Sequence, residues 1–131
     1  MTPVHATTRS AGADLHAAET VTLEPQEVRL IGTGFSLTEL PHIADHDLVF
    51  MLCNRSSIAY KKSLMVLNGV GVIDQDYKDE IKVMYMNMSG KKQTINKGER
   101  IAQLVPMRFV PFIFDANDSE RCGGFGSSNE Q

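Results

Sequence analysis

Tryptophan is absent from this chain, cysteine occurs twice, and aromatic residues make up only 7% of it. The two thiols, Cys53 and Cys122, sit far apart and form no Cys-x-x-Cys pair, so the cysteine pattern points to neither a metal knuckle nor a disulfide framework. Met1-Thr2-Pro3-Val4-His5 has no basic and apolar leader character, which makes reduced thiols in a cytoplasmic compartment the expectation. No apolar run approaches the length of a membrane span. Positive charge is scarce as well: 13 Lys and Arg stand against 16 Asp and Glu, a net charge of -3. A nucleic-acid-binding module usually carries a basic excess, so that class is disfavoured. Any polyanionic ligand has to be met by a few placed cations or by a metal. No solenoid-type repeat and no P-loop is visible, and Gly69-x-Gly71 lacks the third glycine and following helix of a dinucleotide fingerprint.

What is present is one domain's worth of ordinary globular sequence: 131 residues, 42% apolar and 22% charged. A chain of this length buries roughly two-thirds of its unfolded surface, enough for a core without staples. The pattern reads mostly as strands. Val21 to Leu23 is a short apolar patch ended by Pro25. Val28 to Leu37 places Arg29, Ile31, Thr33, Phe35 and Leu37 on one face, with Gly32 and Gly34 suggesting a bulge or close backbone approach. Leu48 to Cys53 is apolar on both faces, as a doubly covered strand would be. Ile81 to Met88 is a clear strand, with Met84, Met86 and Met88 on one face as core or interface residues. Ile101 to Phe114 continues the pattern, with edges or bulges expected at Pro106 and Pro111. Only one segment looks helical: Ser56 or Ser57 is placed to cap a short helix through Ala59, Tyr60 and Lys62. Together these predict an all-β fold, a jelly-roll-like distorted barrel or sandwich with one short helix, over residues 1–114. Residues 115–131 contain almost nothing to bury. They read either as a disordered tail or as an arm whose glycines and single Phe125 close on a planar ligand.

Several constellations admit a bland and a chemical reading. Asn68 to Glu80 reads as a β-hairpin with Asp74 at one strand end and Tyr77 in the turn. It is either a solvated acidic turn or a mount for a general base beside a pocket wall. Arg55-Ser56-Ser57 is either a helix cap or an anion site built from a guanidinium, hydroxyls and free backbone N–H groups. Ala11-Gly12-Ala13-Asp14-Leu15 alone is an Asx-type turn, and Lys97 to Leu104 is a turn into a strand carrying Gln103. His42 and His46, with Asp45 and Asp47, form only a weak metal motif in a loop-like context.

Taken in order, these pieces resemble the trimeric dUTPase family, of the viral or bacterial kind. The family carries five motifs. Ala11 to Leu15 is similar to the first, Arg55-Ser56-Ser57-Ile58-Ala59 to the second and Gly71-Val72-Ile73-Asp74-Gln75-Asp76-Tyr77 to the third. Gly98 to Leu104 is similar to the fourth, and Arg121 through Ser128 to the fifth. The resemblance implies a jelly-roll subunit, a homotrimer with sites at subunit boundaries, and hydrolysis of dUTP to dUMP and pyrophosphate with Mg²⁺. It makes Asp74 the base that activates the water attacking the α-phosphorus. Asn68, the backbone of Gly71, Val72 and Ile73, and Lys82 would read the uracil edge, and Tyr77 would lie under the deoxyribose. Arg55, Ser56, Ser57 and Gln103 would hold phosphates, with Asp14 reaching the metal through water or through Arg55. Arg121 would neutralise the terminal phosphate, and Phe125 would stack on the base while Gly126, Ser127 and Ser128 donate to phosphates. Departures from the family pattern are Ser57 and Asp79 at positions where glycine is more frequent, a shortened Arg121-to-Phe125 spacing, and a late start ahead of the Thr7-x-x-Ser10-Ala11-Gly12 region. Two other readings stand beside the enzyme: a deaminating relative acting on dCTP, and a regulator that binds dUTP and an unknown protein partner. Neither needs nucleic acid or a membrane.

Overall fold

The computed structural model describes residues 1–40 and 47–112. Its strands are β1 (Val4–His5), β2 (Ala13–His16), β3 (Val21–Leu23), β4 (Val28–Gly32), β5 (Leu48–Asn54), β6 (Leu64–Val66), β7 (Gly71–Asp74), β8 (Lys82–Asn87), β9 (Gln93–Ile95) and β10 (Arg100–Arg108). A 3-10 turn covers Leu37–Glu39, and α1 covers Ser56–Lys62. Five strands form one sheet in the order β1-β2-β10-β5-β7, three form a second in the order β4-β8-β6, and β3 pairs with β9. This is the expected all-β, jelly-roll-like class. No helix among the described residues is long and apolar enough to cross a membrane.

The alternation read from sequence is the alternation that buries. Leu48, Phe50 and Leu52 of β5 point into the core, while Val49, Met51 and Cys53 are half-buried on the other face. In β8, Val83 and Tyr85 are fully buried, and Leu15, Leu23, Ile31, Phe35, Ile95 and Ile101 join them in one cluster. Each such side chain removed from water stabilises the fold by roughly 1.5–3 kcal/mol. Tyr85 brings its hydroxyl into this core and must satisfy it. The hydroxyl lies 2.6 Å from Asn54 Oδ1 and within reach of the Ile101 carbonyl. Burial pushes the phenol above its ordinary value, so it stays protonated.

Four expectations need correction. The strand from Val28 ends at Gly32, and the chain then enters the 3-10 turn, although Ile31, Thr33, Phe35 and Leu37 keep their inward alternation. Of the bulge or close approach expected at Gly32 and Gly34, the register shift lies instead between Arg100 and Ala102, where β10 pairs with β2. The close approach is found at Gly32, where an added Cβ would lie 2.6 Å from Glu80 Oε2. Ser56 and Ser57 do not cap the helix: Arg55 is the N-cap, without a side-chain cap bond, and both serines sit in the first turn. Finally, the strands flanking the Tyr77 turn lie in different sheets. β7 pairs with β5, whereas β8 pairs with β4 and β6, so the turn crosses between sheets instead of closing a two-strand hairpin. Pro106 does stay inside β10, beyond Leu104, where the pairing with β2 ends and the missing donor faces no strand on that side. The methionines Met84 and Met86 lie on the outer face of β8, opposite Tyr85 and Val83, rather than in the core.

Candidate active site

Three sheet neighbours build a polar cleft. β10 lies between β2 and β5, and its residue Gln103 pairs with Asp14 on one side and Cys53 on the other. The chain leaving β5 turns at Arg55 into α1. An open cleft of about 320 Å³ is thereby lined by Ala6, Ser10, Gly12, Asp14, Arg55, Ser56, Ser57 and Gln103. The sequence-predicted residues Asp14, Arg55, Ser56, Ser57 and Gln103, drawn from three separate motifs, are thus brought together.

Arg55 is held by its acceptors. Its Nε lies 3.1 Å from Asp14 Oδ1, and its Nη1 donates to Ser57 Oγ at 3.2 Å and to the Arg100 carbonyl at 3.3 Å. Its backbone N–H donates to Asn54 Oδ1 at 2.8 Å, which ties it to the Tyr85 network. A second cation, Arg100, places Nη1 3.7 Å from Asp14 Oδ2. Asp14 is buried, and these two guanidinium groups flank its carboxylate. Gln103 donates from Nε2 to the Asn54 carbonyl at 3.0 Å. Its side chain folds over Gly12, where an added Cβ would lie 2.4 Å from Gln103 Oε1. The glycine of the first motif therefore makes room for the glutamine of the fourth.

His16 follows Asp14 on the same face of β2. It is buried, and its Nδ1 has no hydrogen-bond partner among the described residues. Burial lowers its pKa below the ordinary 6.5, Arg100 lowers it further, and Asp14 opposes the shift. A site that takes up its proton less readily than the unfolded chain supports the fold fully above pH 6.5 and loses that support as pH falls below it, through the lowered folded value. The melting temperature should therefore decline as pH is lowered from neutrality to about 5, and His16→Gln should flatten part of that slope. A slope identical in both proteins would show that His16 plays no part.

The second group of predicted residues lies elsewhere. Asn68 is exposed in the loop before β7, with its Nδ2 3.8 Å from where a Gly71 Cβ would stand. Gly71, Val72 and Ile73 form β7, and Asp74 is its exposed last residue, paired with Val49. Tyr77 is half-buried in the following turn, where its N–H donates to the Asp74 carbonyl at 3.1 Å. Lys82 is exposed at the start of β8, opposite Gly32. Asp74 sits opposite Val49, whereas Arg55 lies past the other end of β5. Six residues of extended chain separate them, about 20 Å at a strand's rise per residue. One chain therefore does not bring Asp74 to its own Arg55 cleft.

Arg121, Phe125, Gly126, Ser127 and Ser128 lie outside the described residues, as do His42, His46 and Cys122. Among the described residues no group of three or more His, Cys, Asp or Glu could hold a metal ion. Sequence reasoning did not single out Ser10 and Arg100. Ser10 adjoins the Gly12 turn, and Arg100 lies in the fourth motif segment at a register shift that no local pattern announces.

Comparison with known proteins adds to this geometry. The family profile described as dUTPase matches residues 1–129. The deoxyuridine 5′-triphosphate nucleotidohydrolase of Hahella chejuensis is 44% identical over 133 residues, covering 96% of this chain and 85% of the relative. The crystal structure of a dUTPase from Streptococcus mutans superposes with a TM-score of 0.75 at 31% identity, covering 84% of this chain and 87% of that one. A mutant dUTPase from phage phi11 of S. aureus, in which a structural Mg(II) ion is coordinated, has the same TM-score of 0.75 at 24% identity, covering 92% of each chain, and shares the fold.

Proposed function

The chain belongs to the dUTPase family, and on that premise we propose that it is a dUTP diphosphatase, cleaving dUTP to dUMP and pyrophosphate by attack of an Asp74-activated water on the α-phosphorus. The observation that carries this reading is the gathering of Asp14, Arg55, Ser56, Ser57 and Gln103 into one cleft. A guanidinium, serine hydroxyls and an amide suit a triphosphate, with the Arg100 guanidinium behind them on Asp14, and they occur in a chain with no basic excess. Asp74 takes the proton from the attacking water, the bond from the α-phosphorus to its bridging oxygen breaks, and the departing pyrophosphate stays paired with Arg55 and its neighbours.

The separation of Asp74 from Arg55 argues that two copies share each site, the base from one facing the phosphate cleft of another. A homotrimer fits the surface as well. The outer face of the β4-β8-β6 sheet exposes Val28, Leu30, Met65 and Leu67, each between 41% and 44% accessible, around the half-buried Met84 and Met86. Beyond β10, Val110 is 90% exposed. A contiguous apolar surface of this kind usually meets another chain. In this reading Asn68, the β7 backbone and Lys82 select uracil, and Tyr77 underlies the sugar and excludes a 2′-hydroxyl. The same reading gives Arg121 the terminal phosphate, Phe125 the base, and Gly126, Ser127 and Ser128 the phosphates.

The donor set suits Mg²⁺ in one limited way. A single buried carboxylate, already paired with two arginines, cannot form a cage, whereas Mg²⁺ keeps most of its waters and binds through phosphates. Asp14 would hold its hydration shell, and the ion would supply neutralisation of phosphate charge.

The test is release of pyrophosphate from dUTP, dCTP, dTTP and UTP, with and without Mg²⁺. Pyrophosphate should appear from dUTP in large preference and require the metal. Ammonia from dCTP, or tight dUTP binding without pyrophosphate release, would overturn the proposal in favour of a deaminase or a regulator.

A further inference from the structure

The turn carrying Tyr77 is gripped by the segment that follows β4. Ser36 Oγ donates to the Lys78 carbonyl at 2.9 Å, next to Tyr77 in sequence. The Gly34 N–H donates to Glu80 Oε2 at 2.8 Å, and the Ile81 N–H donates to the Phe35 carbonyl at 2.8 Å. Thr33 Oγ1 donates to the Ile81 carbonyl at 2.6 Å. The gripping segment is itself shaped for the task. Gly34 adopts φ 67°, a conformation that favours glycine, and a Cβ on Gly32 would lie 2.6 Å from Glu80 Oε2. The Glu80 carboxylate thus fills the space where a side chain at position 32 would be. Ser36 is fixed in turn: its Oγ accepts from the Thr38 N–H at 3.2 Å, and its own N–H donates to Glu39 Oε2 at 2.9 Å. At the other end of the turn, Leu48 N–H donates to Gln75 Oε1 at 3.4 Å.

We propose that Ser36 and Glu80 are positioning residues that fix where Tyr77 stands and thereby set discrimination between deoxyribo- and ribonucleotides. The inference rests on the reading of Tyr77 as the sugar platform. Exclusion of one hydroxyl by a ring is steric, so a shift on the order of 1 Å in the turn decides whether that hydroxyl fits. Ser36 supplies a side-chain donor to the Lys78 carbonyl, and Glu80 needs only an oxygen to accept from Gly34. An amide at position 80 therefore serves as well as a carboxylate.

The test compares Ser36→Ala, Glu80→Ala and Glu80→Gln by the ratio of kcat/KM for dUTP to that for UTP, a quantity in which any loss of active protein cancels. Each alanine variant should lose about tenfold of that ratio, the effect of one lost hydrogen bond, while Glu80→Gln stays within about twofold of the parent. Hydrogen exchange at the amides of residues 75–79 should speed up in the alanine variants and not in Glu80→Gln. Parent protein inert toward dUTP would overturn the functional reading and this role with it. An active parent whose alanine variants discriminate as well as it does would overturn the role alone, and unchanged exchange at 75–79 would dispose of the clamp itself.

Discussion

Replacing Asp74 by asparagine should lower turnover of dUTP at least a hundredfold while leaving melting temperature and nucleotide affinity close to the parent's. The side chain is exposed at the last residue of β7, so the core does not depend on it. Asparagine keeps its size and one oxygen, and can still hold a water. It cannot accept a proton, and a positioned general base contributes about 10²–10⁴ in rate, roughly 3–5 kcal/mol of barrier. Single-turnover kinetics with dUTP, together with titration by a non-hydrolysable analogue, separates the two quantities. Turnover near the parent's would remove Asp74 from the reaction. A parallel loss of affinity would recast it as a binding group.

Arg55→Ala should damage both the fold and the chemistry. Arg55 bridges Asp14, Ser57 and the Arg100 carbonyl, and among the described residues Asp14 would be left buried with only Arg100, at 3.7 Å. Loss of a hydrogen-bonded charge of this kind costs about 1–3 kcal/mol of stability. The same change removes the best-fixed cation of the cleft proposed to hold phosphates, so kcat/KM should fall about ten- to a hundredfold on that scale. Arg55→Lys separates the two effects. A lysine restores one point charge beside Asp14 and hence part of the stability, but it cannot serve three acceptors lying in different directions. Chemical denaturation and steady-state kinetics on both variants give the comparison. If lysine restores catalysis in full, the forked geometry of Arg55 is irrelevant to substrate.

Much of this architecture is legible along the chain because burial in strands repeats every second residue. Leu48, Phe50 and Leu52 announce β5, and Val83 and Tyr85 announce β8, by side-chain type alone. The same rule misleads after Gly32. Thr33, Phe35 and Leu37 stay buried with a strand's parity although the chain has left the sheet for a 3-10 turn. The available signal was Ser36 followed by Glu39 at the spacing of a capping box, which the structure forms in full. Strand partners are harder, because pairing is decided by distant segments. The run from Gly71 to Asn87 reads locally as a hairpin, yet β7 finds β5 and β8 finds β4 and β6. The cleft lined by Asp14, Arg55 and Gln103 is recoverable from the sequence only as motifs in order. Nothing local to Gly12 foretells that Gln103 will lie across it, and nothing near Arg100 foretells its approach to Asp14.

The length of β5 also bears on inheritance of defects. If, as proposed, Asp74 at one end of that strand serves the Arg55 cleft of a neighbouring copy, a lesion in one polypeptide is felt in a reaction centre completed by its neighbour. In a cell carrying two different alleles, one altered at Asp74 and the other at Arg55, mixed assemblies would include boundaries where both contributing chains are intact at the required end. Two alleles, each inactive alone, would then restore one another in part.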